Sequence, residues 1–95
     1  MKSLFLCGCG TVGLNVLKII EKKDLPFRVV GVFVRNTEKD RPGLLKEYNF
    51  TSNIDDVLNT NASMIVEAIG GITDAKKIVD WAMRENKIVD TAHKA

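Results

Sequence analysis

Three glycines near the start of the chain have the spacing of a phosphate-binding turn. Gly8, Gly10 and Gly13 form the pattern G-x-G-x-x-G between a short apolar run and a stretch with helical periodicity. In that context Gly8 makes the tight turn out of the strand, Gly10 lets the backbone approach a pyrophosphate, and Gly13 lets the helix pack close to the strand. The N–H groups and positive dipole end of the helix favour an anion there. The pattern predicts a dinucleotide site that includes Thr11 and Val12. A plain glycine-rich turn is the alternative, because the chain has seven glycines.

A basic residue occupies the position where such a site distinguishes NAD from NADP. An Asp or Glu about 20 residues past the glycines usually binds the ribose 2′-hydroxyl, but residues 34–36 contain no carboxylate. An arginine at this position accommodates the 2′-phosphate of NADP, because its planar guanidinium matches phosphate oxygens. Arg35 therefore favours NADP as the cofactor, with Lys39 and Arg41 adding positive charge. A solvated strand end is the alternative for Arg35, and Glu38 keeps NAD as an option.

Two further segments are expected to face the same crevice. Ile69, Gly70 and Gly71 follow a predicted strand, and glycines there let the backbone approach the nicotinamide ribose. Lys94 comes shortly after Thr91, the last residue of the final predicted strand, and would point near the nicotinamide end of the site. On residue chemistry alone, the first segment is equally consistent with a simple strand-to-helix turn and the lysine with a surface residue.

Strand and helix patterns alternate along the whole chain. Runs rich in β-branched and aromatic residues predict strands, and a 3.6-residue apolar period predicts helices. The predicted N-caps are Asn53 and Thr73, and Asn86 is a predicted left-handed residue after the last helix. This alternation predicts a Rossmann-type α/β fold, a doubly wound parallel sheet of about five strands in the order 3-2-1-4-5, with its ligand crevice at the carboxyl ends of strands one and four. The predicted strands are 2–7, 27–35, 49–51, 63–69 and 87–91, and the predicted helices are 11–22, 44–48, a short one after Asn53, and 74–85.

The composition is that of one small globular domain covering residues 1–95. The apolar fraction of 45% is ordinary, and a net charge of +2 on interleaved basic and acidic residues argues against a nucleic-acid partner. No apolar run of about 20 residues and no signal peptide pattern occur, so we expect a cytoplasmic protein without a membrane partner. Cys7 and Cys9 lie too close on an extended chain for a good disulfide. With His93 as the only histidine, no metal site is expected.

Together, five segments resemble the N-terminal NAD(P)-binding domain of homoserine dehydrogenase. They are the glycine turn 8–13, the strand end 30–35, Ile-Val-Glu-Ala-Ile-Gly-Gly at 65–71, Ala75 with the helix after it, and Thr-Ala-His-Lys-Ala at 91–95. The resemblance covers essentially the whole chain. It implies an oxidoreductase of amino-acid biosynthesis that converts L-homoserine to L-aspartate 4-semialdehyde, or the reverse, with NAD(P). It also implies that Lys94 lies near the nicotinamide and the substrate, which makes Lys94 the candidate catalytic residue.

The resemblance further implies a second domain, because the substrate pocket and main catalytic residues of the family lie further along the chain. Residues 1–95 would then be a cofactor domain truncated from a longer dehydrogenase, inactive alone, with a homodimer as one option for its assembly. Two residues depart from the family: His93 replaces an Asn, and Asp90 replaces an apolar strand residue and so needs a partner or exposure. The alternatives are the cofactor domain of another amino-acid dehydrogenase, such as aspartate dehydrogenase, and a non-catalytic nucleotide-binding module.

Overall fold

A parallel sheet with helices between its strands forms the centre of the molecule. The computed structural model describes residues 2–8, 10–35, 48–69 and 72–91. All strand pairs are parallel, and the spatial order of the five strands is 3-2-1-4-5, which confirms the predicted topology. In chain order the elements are β1 (Lys2–Cys7), α1 (Thr11–Lys22), β2 (Phe27–Phe33), β3 (Phe50–Thr51), α2 (Ile54–Leu58), β4 (Met64–Glu67), α3 (Ile72–Arg84) and β5 (Ile88–Thr91).

Helices cover both faces of this sheet, and β1 lies at its centre. Alternate residues of a strand point to opposite faces. Leu6 of β1 therefore belongs to the same buried cluster as Leu17 of α1, whereas Cys7 belongs to the cluster that contains Trp81 of α3. A near-continuous apolar strand is typical of a sheet buried on both faces, and β1 has this character, with Leu4–Cys7 buried.

The two longer helices, α1 and α3, end in the same left-handed motif. After α3, Asn86 has φ of 56°, its N–H donates to the carbonyl of Met83 at 3.1 Å, and the N–H of Lys87 donates to the carbonyl of Ala82 at 2.9 Å. This is the Schellman arrangement, which satisfies carbonyl groups that the helix itself leaves free. Asp24, with φ of 48°, has the same place after α1. The predicted left-handed conformation of Asn86 is confirmed.

Two strands end earlier than their composition predicts. β2 ends at Phe33 rather than at Arg35, and β4 ends at Glu67 rather than at Ile69. Both strands pair with β1, which ends at Cys7. Because β1 ends at Cys7, its two neighbours have no backbone partner on that side beyond Phe33 and Glu67, and both strands end there.

Thr73 does not cap α3, so that prediction is wrong. The helix begins at Ile72, which places Thr73 inside its first turn. An N-cap residue must have non-helical backbone angles, and several residue types besides threonine are accepted there. The predicted cap of α2 is confirmed, because the side chain of Asn53 accepts a hydrogen bond from the N–H of Asp55 at 3.0 Å. The predicted helix 44–48 lies outside the described residues except for Tyr48, which is not helical.

The last strand, β5, lies at one end of the described sheet. It pairs with β4, and the side chain of Asp90 is exposed, which accounts for a carboxylate in this strand. In the described part of the chain, no helix is both long enough and apolar enough to cross a lipid bilayer.

Candidate functional site

The turn between β1 and α1 requires glycine at two of its positions. Gly8 has φ of +99°, and a Cβ built on it would lie 2.6 Å from the carbonyl oxygen of Ala68. A Cβ built on Gly13 would lie 2.2 Å from the carbonyl oxygen of Gly8. Both contacts are far shorter than a van der Waals contact and involve backbone atoms, so a side chain at either position must displace the main chain. The first and third glycines therefore do what the pattern predicts: one turns the chain and the other brings the helix against the strand.

Gly10 has a different environment, because it faces open space. Among the described residues, no atom lies within 4 Å of a Cβ built at this position. Gly10 is the N-cap of α1, and the carbonyl of Gly10 accepts the N–H of Leu14 at 2.8 Å. The first N–H groups of a helix have no partner within the helix. A glycine has no side chain with which to bind them, and residues 11–14 contain no carboxylate that would neutralise the dipole.

The start of α1 therefore has the properties of an anion site: its first N–H groups have no partner within the helix, and there is open space at Gly10. Thr11 and Val12 supply the first two helical positions of this site. Their backbone belongs to the described part of the chain, whereas their side chains do not. A pyrophosphate is the group of a dinucleotide that such a turn fits.

The glycine turn lies between the ends of β2 and β4. The N–H of Gly8 donates to the carbonyl of Phe33 at 2.7 Å, and the N–H of Ala68 donates to the carbonyl of Cys7 at 2.7 Å. Arg35 is exposed and follows Phe33 by two residues, so it begins the loop on one side of the turn. Ile69 is on the other side. Its side chain is buried in the core, so the backbone is the part of Ile69 that can face a ligand.

Glu67 is a residue of this region that the sequence analysis did not single out. It ends β4, its side chain has 0% exposure, and it is the buried charged residue of the described chain. One carboxylate oxygen accepts the N–H of Ile69 at 2.7 Å, and the other accepts the hydroxyl of Thr91 at 2.5 Å. The signal that could have identified it is a single carboxylate within the otherwise apolar run 64–69.

The hydrogen bond from Thr91 connects β5 to the same region. Thr91 is the last residue of β5, and in the sheet it lies opposite Glu67 in the pairing of β4 with β5. The carboxyl ends of β2, β1, β4 and β5 are therefore joined in a row by hydrogen bonds. Arg35, the glycine turn, Ile69 and Thr91 lie along that row.

Cys7 is buried at the end of β1, beside Glu67. Burial raises the pKa of the Cys7 thiol from 9.0 to about 12, and the nearby Glu67 carboxylate adds to the increase. A thiol with so high a pKa is protonated at neutral pH and is a poor nucleophile. Cys7 therefore acts as a small apolar residue of the core. Among the described residues, no group of three or more His, Cys, Asp or Glu side chains could hold a metal ion.

Several residues of the predicted site lie outside the described part of the chain. They comprise the two glycines after Ile69, the candidate catalytic lysine with its histidine neighbour, and the charged residues beyond Arg35: Gly70, Gly71, His93, Lys94, Glu38, Lys39 and Arg41.

A doubly wound parallel sheet with a glycine turn at its central strand defines the class of nucleotide-binding Rossmann-type domains. The profile of the family "Homoserine dehydrogenase, NAD binding domain" matches residues 8–95. The chain therefore belongs to this family of NAD-binding domains.

Individual relatives agree with the family profile. Over 98 aligned residues the chain is 33% identical to a homoserine dehydrogenase of Bacillus subtilis (strain 168), in a match that covers 94% of this chain and 23% of the relative. A homoserine dehydrogenase of Corynebacterium glutamicum is 31% identical over 95% of this chain and 22% of its own length. The crystal structure of S. aureus homoserine dehydrogenase at pH 7.0 superposes with a TM-score of 0.91 and 31% identity, over 98% of this chain and 26% of that one. The chain spans about a quarter of the length of these relatives.

Proposed function

We propose that the crevice along the carboxyl ends of the sheet binds NADP, in preference to NAD, as the cofactor half of a homoserine dehydrogenase. The observation that carries this proposal is the glycine turn at the start of α1, where Gly10 faces open space and the helix N–H groups have no carboxylate nearby. Membership of the family of homoserine dehydrogenase NAD-binding domains supports a nicotinamide dinucleotide as the ligand.

Each part of the crevice has a role in this proposal. The backbone of Gly8, Gly10 and Gly13, with the adjoining Thr11 and Val12, binds the pyrophosphate. Beyond β2, the exposed guanidinium of Arg35 binds the 2′-phosphate of the adenosine ribose. The nicotinamide half is held by two segments: the one after β4, with Ile69, Gly70 and Gly71, and the end of β5 at Thr91. Lys94 lies next to the substrate in this proposal.

The reaction proposed for the whole protein is the oxidation of L-homoserine to L-aspartate 4-semialdehyde, or its reverse. When bound, the nicotinamide accepts or supplies the hydride. The residues of this chain bind the cofactor and orient it, because the described residues contain no acid–base pair in the crevice. Lys94 is the residue through which this chain would touch the substrate. A cytoplasmic location fits such a role in amino-acid biosynthesis.

A titration with each cofactor tests the proposal directly. We expect the purified protein to bind NADPH more tightly than NADH in isothermal titration calorimetry. Replacement of Arg35 by Ala should weaken NADPH binding roughly tenfold to hundredfold, the size of a lost charge-assisted hydrogen bond, and should leave NADH binding nearly unchanged.

Arg28→Ala is the matched control for this experiment. Arg28 is an exposed arginine of β2 as well, but it lies next to the start of the strand, at the opposite edge of the sheet from the glycine turn. Its replacement should change neither affinity. Equal weakening of NADPH and NADH by Arg35→Ala would show that Arg35 does not distinguish the two cofactors. Absence of binding of either cofactor to the unmodified protein would refute the cofactor site itself.

A further inference from the structure

The carboxylate of Glu67 is fully buried, and burial of such a group lowers the stability of the fold. A residue of this kind therefore suggests a role other than packing. An ionised group is expensive to bury, even when its hydrogen bonds are satisfied. The neighbouring residues of the run 64–69 are apolar, and an apolar side chain at position 67 would continue the core of that face. The pairing of β4 with β5 places Thr91 opposite Glu67, but it does not require a carboxylate at position 67, because backbone groups form the ladder and these two hydrogen bonds are made by the side chain of Glu67.

The two oxygens of Glu67 bind two different segments. One accepts the N–H of Ile69, which fixes the backbone two residues beyond Glu67 to the side chain that ends β4. The other accepts the hydroxyl of Thr91, which lies 24 residues further along the chain at the end of β5. Acceptors that carry a charge make short and strong hydrogen bonds. The carboxylate therefore links the segment after β4 to the end of β5.

We propose that Glu67 is a positioning residue for the nicotinamide half of the cofactor, acting through the N–H of Ile69 and the hydroxyl of Thr91. The inference rests on the proposed function, which assigns the segments beyond β4 and β5 to that half. Glu67 itself is fully buried and does not touch the ligand. It acts on the ends of the two described segments, through the backbone N–H of Ile69 and the hydroxyl of Thr91.

The test compares a whole cofactor with a fragment that lacks the nicotinamide. NADPH and 2′-phospho-ADP-ribose share the adenosine, its phosphate and the pyrophosphate, so they differ in the half that Glu67 is proposed to position. If calorimetry shows tighter binding of NADH, the pair is NADH and ADP-ribose. Binding of each is measured to the purified full-length protein, unmodified and as Glu67→Met, which has a similar volume and no hydrogen-bonding oxygen.

We expect Glu67→Met to weaken NADPH binding about tenfold and to leave 2′-phospho-ADP-ribose binding within about twofold, the loss being that of roughly one hydrogen bond. A purely structural role predicts that the two ligands weaken together, and that result would overturn the inference. Equal affinity of the unmodified protein for both ligands would also overturn it, but would leave the cofactor site intact. No binding of either ligand would refute the proposed function instead.

Variants at Thr91 keep the inference testable if Glu67→Met does not fold. Thr91 is exposed, so Thr91→Val removes the hydroxyl without emptying the core. Thr91→Val should reproduce the selective loss of NADPH affinity. Thr91→Ser retains the hydroxyl and should therefore bind NADPH nearly as tightly as the unmodified protein.

A double-mutant cycle then separates action through Glu67 from a direct contact between Thr91 and the ligand. Thr91→Val should cost much less NADPH affinity in a protein that already carries Glu67→Met, or Glu67→Gln if the methionine variant is unfolded. An undiminished cost in that background would mean that Thr91 acts independently of Glu67, and the inference would be wrong.

Discussion

Gly10 and Gly13 belong to one motif, but a methyl group at each would meet different surroundings. A Cβ at Gly13 would lie 2.2 Å from the carbonyl oxygen of Gly8, whereas no described atom lies within 4 Å of one at Gly10. A side chain at Gly13 would collide with the main chain of the protein, whereas a side chain at Gly10 would extend into open space. Folding and cofactor binding can therefore be separated at the scale of a single residue.

Gly13→Ala should lower the free energy of unfolding by about 1–3 kcal/mol or more, as overpacking against backbone does. Gly10→Ala should change it by less than about 1 kcal/mol, because a poorer N-cap is offset by a less flexible unfolded chain. Gly10→Ala should nevertheless reduce NADPH affinity at least about tenfold, because in our proposal the methyl group would occupy the place of the pyrophosphate. Urea unfolding and calorimetry measure the two effects. A stable Gly10→Ala protein with unchanged affinity would argue against the pyrophosphate position.

The buried thiol of Cys7 makes stability depend on pH at the alkaline end. Its pKa is raised to about 12 in the folded protein from 9.0 in the unfolded chain. Above pH 9 the unfolded chain loses this proton and the folded protein retains it, so the free energy of unfolding must fall as pH rises. Below pH 9 both states are protonated and the contribution is constant.

Comparison with Cys7→Ala isolates that contribution, because the two proteins differ in this one ionisable group. The stability advantage of the unmodified protein over Cys7→Ala should decrease by up to about 1.4 kcal/mol for each pH unit above about 9. Denaturant unfolding at about pH 8 and about pH 10.5 measures it. An advantage that is the same at both pH values would contradict the burial of a protonated thiol.

At the scale of elements, the ends of α1 and α3 depend on residues with positive φ. Asn86 has φ of 56° and Asp24 has φ of 48°. Asparagine and aspartate tolerate this conformation better than other residues with a side chain, and glycine tolerates it best. The reversal that returns each helix to the next strand is therefore a local property of the sequence.

Asn86→Ala should destabilise the protein by about 1 kcal/mol or more relative to Asn86→Gly, because the left-handed conformation costs a Cβ-bearing residue about that much. Thermal unfolding of the two variants measures the difference. Asn15→Ala is the control, since Asn15 is exposed within α1 and the same substitution there should be neutral or slightly stabilising. Equal stability of the two variants at position 86 would show that the residue does not hold this conformation in solution.

At the scale of the whole molecule, the described sheet brings together chain segments that are far apart in sequence. The order 3-2-1-4-5 aligns the carboxyl ends of β2, β1, β4 and β5 along one edge. The relatives of the family continue well beyond the matched region, since the chain spans about a quarter of their length. Cofactor binding and substrate conversion are therefore separable activities in our proposal.

We expect residues 1–95, expressed alone, to bind NADPH but not to oxidise homoserine. In our proposal the groups along the carboxyl ends of the sheet bind the dinucleotide, and Lys94 is the candidate for contact with the substrate. Calorimetry measures the binding, and the appearance of NADPH absorbance with homoserine and NADP measures turnover, with the homoserine dehydrogenase of Bacillus subtilis as the positive control. Turnover by residues 1–95 would show that this domain carries the complete catalytic machinery.

The amino-acid sequence alone predicted the fold class, the strand order and the family. These depend on patterns that are local: the glycine spacing at 8–13, the apolar periods of α1 and α3, and the left-handed Asn86. The bounds of β1 and α1 were predicted correctly because each element is followed by a residue with positive φ, which neither a strand nor a helix can include. This residue is Gly8 after the strand and Asp24 after the helix.

Only the tertiary structure decided the features that depend on partners distant in sequence. β2 and β4 have the composition to continue, but they end where β1 leaves them without a partner. Glu67 is ordinary in the sequence and becomes the link between two segments because β5 pairs beside β4 and presents Thr91 to it. Hydrogen-bond partners 24 residues apart leave no periodic trace in a sequence, because neither residue type requires the other until the sheet has formed.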